Sequence, residues 1–243
     1  MIFVALGLLG FGVADLVRWS PGPVAGAHLV AAIASGAVAV GAVAALSGVD
    51  AGGTALAGVV ALILLALWSA YDLLPEKHAK PEYALGLIVL TIVILVGLSG
   101  SADPIGGDIA DWYANLGFDL AGEISVDQFV LGVAATLFLI GTGNRIVRFT
   151  LAATDTSLLD EEGKMRGGRV LGPMERVIVA AAVISGGLAG AGFVIAAKGL
   201  LRFREIRGDT QSKVDEITEY FLIGTFTSVI VAAAVSVLVL AAS

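Results

Sequence analysis

The chain has no cysteine. That excludes a disulfide, thiol chemistry and any cysteine-held metal. Its two histidines, His28 and His78, lie far apart and form no ligand pair. There is no His-Glu-x-x-His and no dense ligand set for zinc or haem, so no cofactor is expected. No glycine-rich loop ends in Lys-Ser/Thr, which removes a P-loop engine. Ser99, Ser101 and Ser125 lack a matched base. The basic run at 166–169 is too short to favour nucleic acid over lipid headgroups, so no nucleic-acid partner is expected. Aromatic residues are 7% of the chain, too few for a chromophore cage. Charged residues are only 14%, against roughly 25% in soluble domains. A soluble protein of this length needs a polar surface that these residues cannot build.

What is abundant is apolar. Hydrophobic residues make up 58% of the 243, and the mean hydropathy is +0.95. Several runs approach the ~20 residues that cross a ~30 Å hydrocarbon layer. Glycine stands at 32 residues, and small residues let membrane helices approach closely. The net charge is −7, with the acids crowded into polar loops. That balance resembles proteins of high-salt organisms.

The apolar runs predict an all-α, polytopic bundle with about seven spans. They cover 2–16, 24–46, 54–74, 83–98, 128–147, 173–201 and 220–242, with 209–219 extending the last span as a polar helix. The Ile-Val-Leu run at 83–98 also fits a strand by propensity, but lipid forbids an isolated strand. Residues 1–16 have no basic n-region and end in Asp15-Leu16-Val17-Arg18, so they read as a retained first helix. Asp15 reads as the boundary of that short helix. Segment 99–126 holds Asp103, Asp108, Asp111, Asp119 and Glu123 and no Lys or Arg. Ile105, Ile109, Trp112 and Leu116 recur there at helical spacing, which predicts a short amphipathic helix on the membrane surface. The whole is one membrane domain, 1–243. Its four-helix N-terminal part is 1–98, its acidic outer segment 99–126, and its C-terminal part 127–243.

With the amino end outside, Arg18, the Lys77/Lys80 loop and the basic loop 148–172 face the cytoplasm, as the positive-inside rule requires. Segment 173–201 breaks this pattern, because basic residues flank it on both sides. A plain crossing with paired charges is the first expectation. The alternative is six spans plus a re-entrant hairpin that turns at Gly186-Gly187.

All the Lys and Arg except Arg18, Lys77 and Lys80 lie between Arg145 and Lys213. Pro173 is read as opening a helix, with Glu175 and Arg176 in its first turn. Lys198 and Arg202 are four apart and share a face. Glu219 is an acid able to answer them. These five residues are candidates for a polar pocket or pore mouth, since charges inside a membrane domain are usually paired or functional. Headgroup snorkelling is the bland alternative for Lys198 and Arg202. Arg145 and Arg148 read first as cytoplasmic anchors and second as part of the site.

Three segments also carry a resemblance. They are Gly167-Gly168-Arg169 with Gly172 and Glu175-Arg176; Gly192 to Lys198 with Arg202-Phe203; and Glu219-Tyr220 with Leu222 to Thr225. Together they resemble an uncharacterised family of bacterial and archaeal polytopic membrane proteins. The resemblance lies within 141–224, leaves the first four spans unmatched, and implies no reaction. The leading functional expectation is a channel or transporter for a small anionic solute in the cell membrane. The rival is a non-catalytic scaffold or subunit, packed against copies of itself or another membrane protein. An enzyme acting on lipid headgroups ranks third.

Overall fold

The computed structural model describes residues 1–18, 26–48, 51–75, 78–100, 103–116, 124–154, 168–187 and 211–242, with isolated positions 189, 192 and 196. All regular structure among them is helical. In order the helices are α1 (Ile2–Val17), α2 (Gly26–Leu46), α3 (Ala51–Ala70), α4 (Pro81–Ser99), α5 (Gly107–Ala114), α6 (Val126–Ile140), α7 (Thr142–Ala153), α8 (Gly168–Ile184) and α9 (Gln211–Leu240). A 3₁₀ turn, Tyr71–Leu73, follows α3. Among the described residues four helices are long and apolar enough to cross a bilayer, or five if the bent pair α6–α7 counts as one span. Multi-pass membrane character therefore follows from length and composition.

Helix α1 is the hub. It is apolar all round, and such a helix belongs inside protein. Ile2, Phe3, Val4, Ala5, Leu6, Leu8, Leu9, Phe11 and Ala14 are all buried. Helices α2, α3, α4, α6 and α7 all pack on it. Small residues permit this enclosure. A Cβ placed on Gly12 would lie 2.6 Å from the Leu137 and Phe138 backbone of α6. One on Gly36 of α2 would lie 2.7 Å from the Gly10 carbonyl. The outer helices bury one face only. On α2 that face is Leu29, Ala32, Gly36, Val40 and Ala44, at helical spacing, while Val30 and Val38 stay exposed.

Two expected spans are not single helices. The expected span 128–147 breaks at Gly141, and α6 and α7 meet at 42°. Gly141 fits there because a Cβ would lie 2.6 Å from the Gly12 carbonyl. The expected span 173–201 does not form as one helix either. Helix α8 starts at Gly168 and carries Pro173 inside it, so Glu175 and Arg176 are not in its first turn. It stops by a Schellman arrangement. The Gly187 N–H donates to the Ala182 carbonyl at 2.7 Å, the Gly186 N–H donates to Val183 at 3.1 Å, and Gly186 sits at φ +74°. Helix α9 is continuous from Gln211, including the expected polar extension.

Surface helix α5 is shorter than the acidic segment and docks against α2 and α6. Tyr113 is its buried residue, with Ile109 half-buried and Ile105 buried just before the helix; the Tyr113 hydroxyl donates to the Ile124 carbonyl at 2.8 Å. Trp112, expected on the same face as Ile105 and Ile109, is exposed.

Contacts fix which ends lie together. At one end, Met1 lies beside Asp127, and the Gly106 N–H donates to the Ser47 carbonyl at 2.7 Å. There too the Ser125 hydroxyl reaches the Ala242 carbonyl at 3.5 Å. Near the other end, Gly224 of α9 meets Val147 and Leu151 of α7. Helix α9 thus runs opposite to α6–α7. The Ser236 hydroxyl reaches the Ala180 carbonyl, and Arg176 meets the α6–α7 break, so α8 runs in the same direction as α9.

Candidate functional site

Two charged clusters sit at the end of the bundle where α1 finishes. The first is a closed ring of four side chains. Asp15 is in the last turn of α1, Arg18 follows that helix, Asp72 is in the 3₁₀ turn, and Arg145 is in the first turns of α7. Arg18 donates from Nη2 to Asp15 Oδ1 at 2.6 Å and from Nη1 to Asp72 Oδ2 at 2.8 Å. Arg145 donates from Nη1 to Asp15 Oδ1 at 2.7 Å and from Nη2 to Asp72 Oδ1 at 2.6 Å. Trp68 Nε1 donates to the remaining Asp15 oxygen at 3.0 Å. Charges alternate around the ring and sum to zero.

Aromatic rings floor the cluster. The Arg145 guanidinium lies 4.5 Å from the Trp68 ring centre and 5.4 Å from that of Phe149, which favours the cation over the ring face. Trp68 meets Phe11 and Phe149 edge-on. The Asp15 side chain is fully enclosed and Arg18's nearly so, while Asp72 and Arg145 keep 20% and 17% of their side-chain exposure. Burial pushes the Arg18 guanidinium below its usual value, and Asp15 pulls it back up. Arg18 Nε is buried without a hydrogen-bond partner.

The second cluster is at the α6–α7 break. Arg176 is 2% exposed. Its Nε donates to the Leu139 carbonyl at 3.0 Å, and Nη2 donates to Asn144 Oδ1 at 3.3 Å. The broken helix explains the first bond, since a helix end leaves carbonyls unpaired. Gly143 leaves room for the side chain, because a Cβ there would lie 3.1 Å from Arg176 Nε. Both described acceptors are neutral. Glu175, next in the chain, attracts Arg176 through space without a hydrogen bond to it. Thr142, the first residue of α7, has a fully buried hydroxyl with no hydrogen-bond partner.

The candidates therefore separate. Arg176 is a buried cation at a helix break, with Glu175 half-buried beside it. Glu219 is exposed on α9 and is not among the hydrogen-bond partners of Arg176. Lys198 and Arg202 lie outside the described residues. Arg145 is an internal ion-pair residue rather than a headgroup anchor, whereas Arg148 is exposed. Sequence reasoning missed the role of Asp15, Arg18, Asp72 and Trp68. Asp15 lies in the last turn of α1, at the expected helix boundary, and is in addition a buried ring member. The available signal was a lone carboxylate in an apolar run.

Among the described residues no group of three or more His, Cys, Asp or Glu could hold a metal ion. Every carboxylate oxygen of the ring accepts a hydrogen bond. Arg176 keeps donors to offer an anion, since a guanidinium has five N–H donors and two hydrogen bonds are formed. No family model, curated protein or solved structure matches the chain.

Proposed function

We propose that the chain is a polytopic membrane protein that binds a small anionic solute at the α6–α7 break and passes it across the membrane. Arg176 carries this reading. A cation in a bilayer-embedded helix costs about 2.5–3.5 kcal/mol on insertion scales. Here no carboxylate hydrogen-bonds to it among the described residues. A bound anion offsets that cost. The amino end of α7, where Gly143 packs on the guanidinium, adds positive dipole character beside it, and Thr142 in the same turn has an unpartnered hydroxyl. Interrupted membrane helices place their amino ends at anionic substrate groups in the same way.

The finer topology belongs to the same proposal. Consecutive single crossings alternate in direction, yet α8 and α9 run the same way. That supports six spans (α1, α2, α3, α4, α6–α7 and α9) with an inserted pair begun by α8, over seven plain crossings. Arg18, Arg145 and Arg148 lie toward one end, while Asp103, Asp108, Asp111 and Asp127 lie toward the other. The positive-inside rule then supports a cell-membrane protein with the amino end outside.

The test is anion uptake into liposomes by the purified protein, with chloride, phosphate and a small carboxylate as probes. Saturable uptake is expected in the intact protein and in Arg148→Gln, and a fall of roughly tenfold or more in Arg176→Gln, the scale of one lost charged hydrogen bond. Flat uptake by the intact protein, or unchanged uptake in Arg176→Gln, overturns the reading. Either result favours the second reading, a non-catalytic scaffold or subunit. One observation supports that rival. A Cβ on Gly41, Gly58, Gly86 or Gly97 would meet nothing within 4 Å, which leaves room for a helix of another copy.

A further inference from the structure

We propose that the Asp15–Arg18–Asp72–Arg145 ring is a latch that holds α7 in its bent position and controls access to Arg176. What lies behind the latch rests on the anion-site reading; the latch itself rests on the ring's own geometry. Asp15 belongs to α1, Arg18 caps that helix, Asp72 belongs to the turn after α3, and Arg145 is the ring member on α7. Helix α7 joins α6 through a single glycine, Gly141, at the 42° bend. Arg145 alone supplies two of the ring's four charged bonds, one to Asp15 and one to Asp72.

Release of Arg145 leaves no other ring member unpaired. Asp15 keeps Arg18 on Oδ1 and Trp68 on Oδ2. Asp72 keeps Arg18 on Oδ2. The departing guanidinium is already 17% exposed, so water can receive it. Both positions of α7 therefore leave the buried acid with donors, which a two-state element requires.

Adjacent residues couple the ring to the anion site. Arg145 engages the ring, and Asn144, its neighbour on α7, accepts from Arg176. Gly143, one residue earlier, packs on the same guanidinium. A swing of α7 about Gly141 withdraws Asn144 from Arg176 and frees donors for an anion. Latch open and anion bound are then one state.

The chain lacks cysteine, so one introduced thiol reports on the motion without further changes. Ile146 on α7 is 7% exposed. With Ile146→Cys in liposomes, a membrane-impermeant maleimide labels slowly in the parent. We expect labelling to rise roughly tenfold in Arg145→Gln and by a smaller factor in Asp72→Asn, as the loss of charged hydrogen bonds predicts. Asp72→Asn decides alone if Arg145→Gln fails to fold. Leu6→Cys in the hub monitors global loosening and should stay protected throughout. Unchanged labelling of Ile146→Cys in Asp72→Asn overturns the latch, and so does matching exposure of Leu6→Cys. Faster Ile146→Cys labelling with flat anion uptake keeps the latch and discards the anion reading.

Discussion

Asp15 is the residue on which the lower end of the bundle converges. Its carboxylate accepts from Arg18, Arg145 and Trp68 while its side chain is shut off from solvent. Removing one partner of a buried ion pair typically costs about 3–5 kcal/mol, because the other charge is left uncompensated. Asp15→Asn should therefore lower stability by about that amount, read as a shift in denaturant unfolding in detergent. Arg148→Gln, at an exposed position, should change it by no more than about 0.5 kcal/mol. Equal effects from the two would contradict the ring's importance. The sequence marks Asp15 as an acid in an apolar run but not what it meets, because its partners Trp68 and Arg145 are 53 and 130 residues away. The same distance hid the role of Arg145, whose place after an apolar run fits a headgroup anchor equally well.

Helices with uninterrupted apolar runs were legible, and the broken ones were not. Helices α2, α3, α4 and α9 sit close to their expected ranges, since length and hydropathy alone define such elements. The break at Gly141 has no proline to announce it. It follows from the close approach of α1, whose Gly12 carbonyl occupies the space a Cβ would need. Pro173 pointed to a helix start, yet α8 begins before it and carries it past the first turn, where its missing N–H leaves one carbonyl of the helix unpaired. The helix crossing itself is testable. Gly12→Val forces a side chain into the α6 backbone, which cannot retreat as a flexible side chain could. Overpacking of this kind costs about 1–3 kcal/mol or more. Gly41→Val, where nothing lies within 4 Å, should be near neutral in the same unfolding assay. A neutral Gly12→Val would mean that α1 and α6 are farther apart than described.

Among the described residues α2, α3, α4, α6 and α7 surround one enclosed helix, α8 and α9 pack outside them on α6 and α7, and acids gather at one end with the ion-paired ring at the other. Its polarity can be read with single cysteines. Asn115→Cys and Ala242→Cys should react with an impermeant reagent from one side of the membrane, and Thr154→Cys and Glu219→Cys from the opposite side. Seven plain crossings would put Ala242 with Thr154 instead, and that pattern would refute the even count. Enclosure of α1 also sets an order of assembly. Synthesis delivers α1 before every helix that packs on it, and α6 and α7 are the last of those walls to follow. Until residue 145 has been made, Asp15 has no access to its second guanidinium, and Arg18 is the one ring cation for both Asp15 and Asp72. The chain's own later half thus completes the ring, because Arg145 brings its two carboxylates and one earlier guanidinium to neutrality.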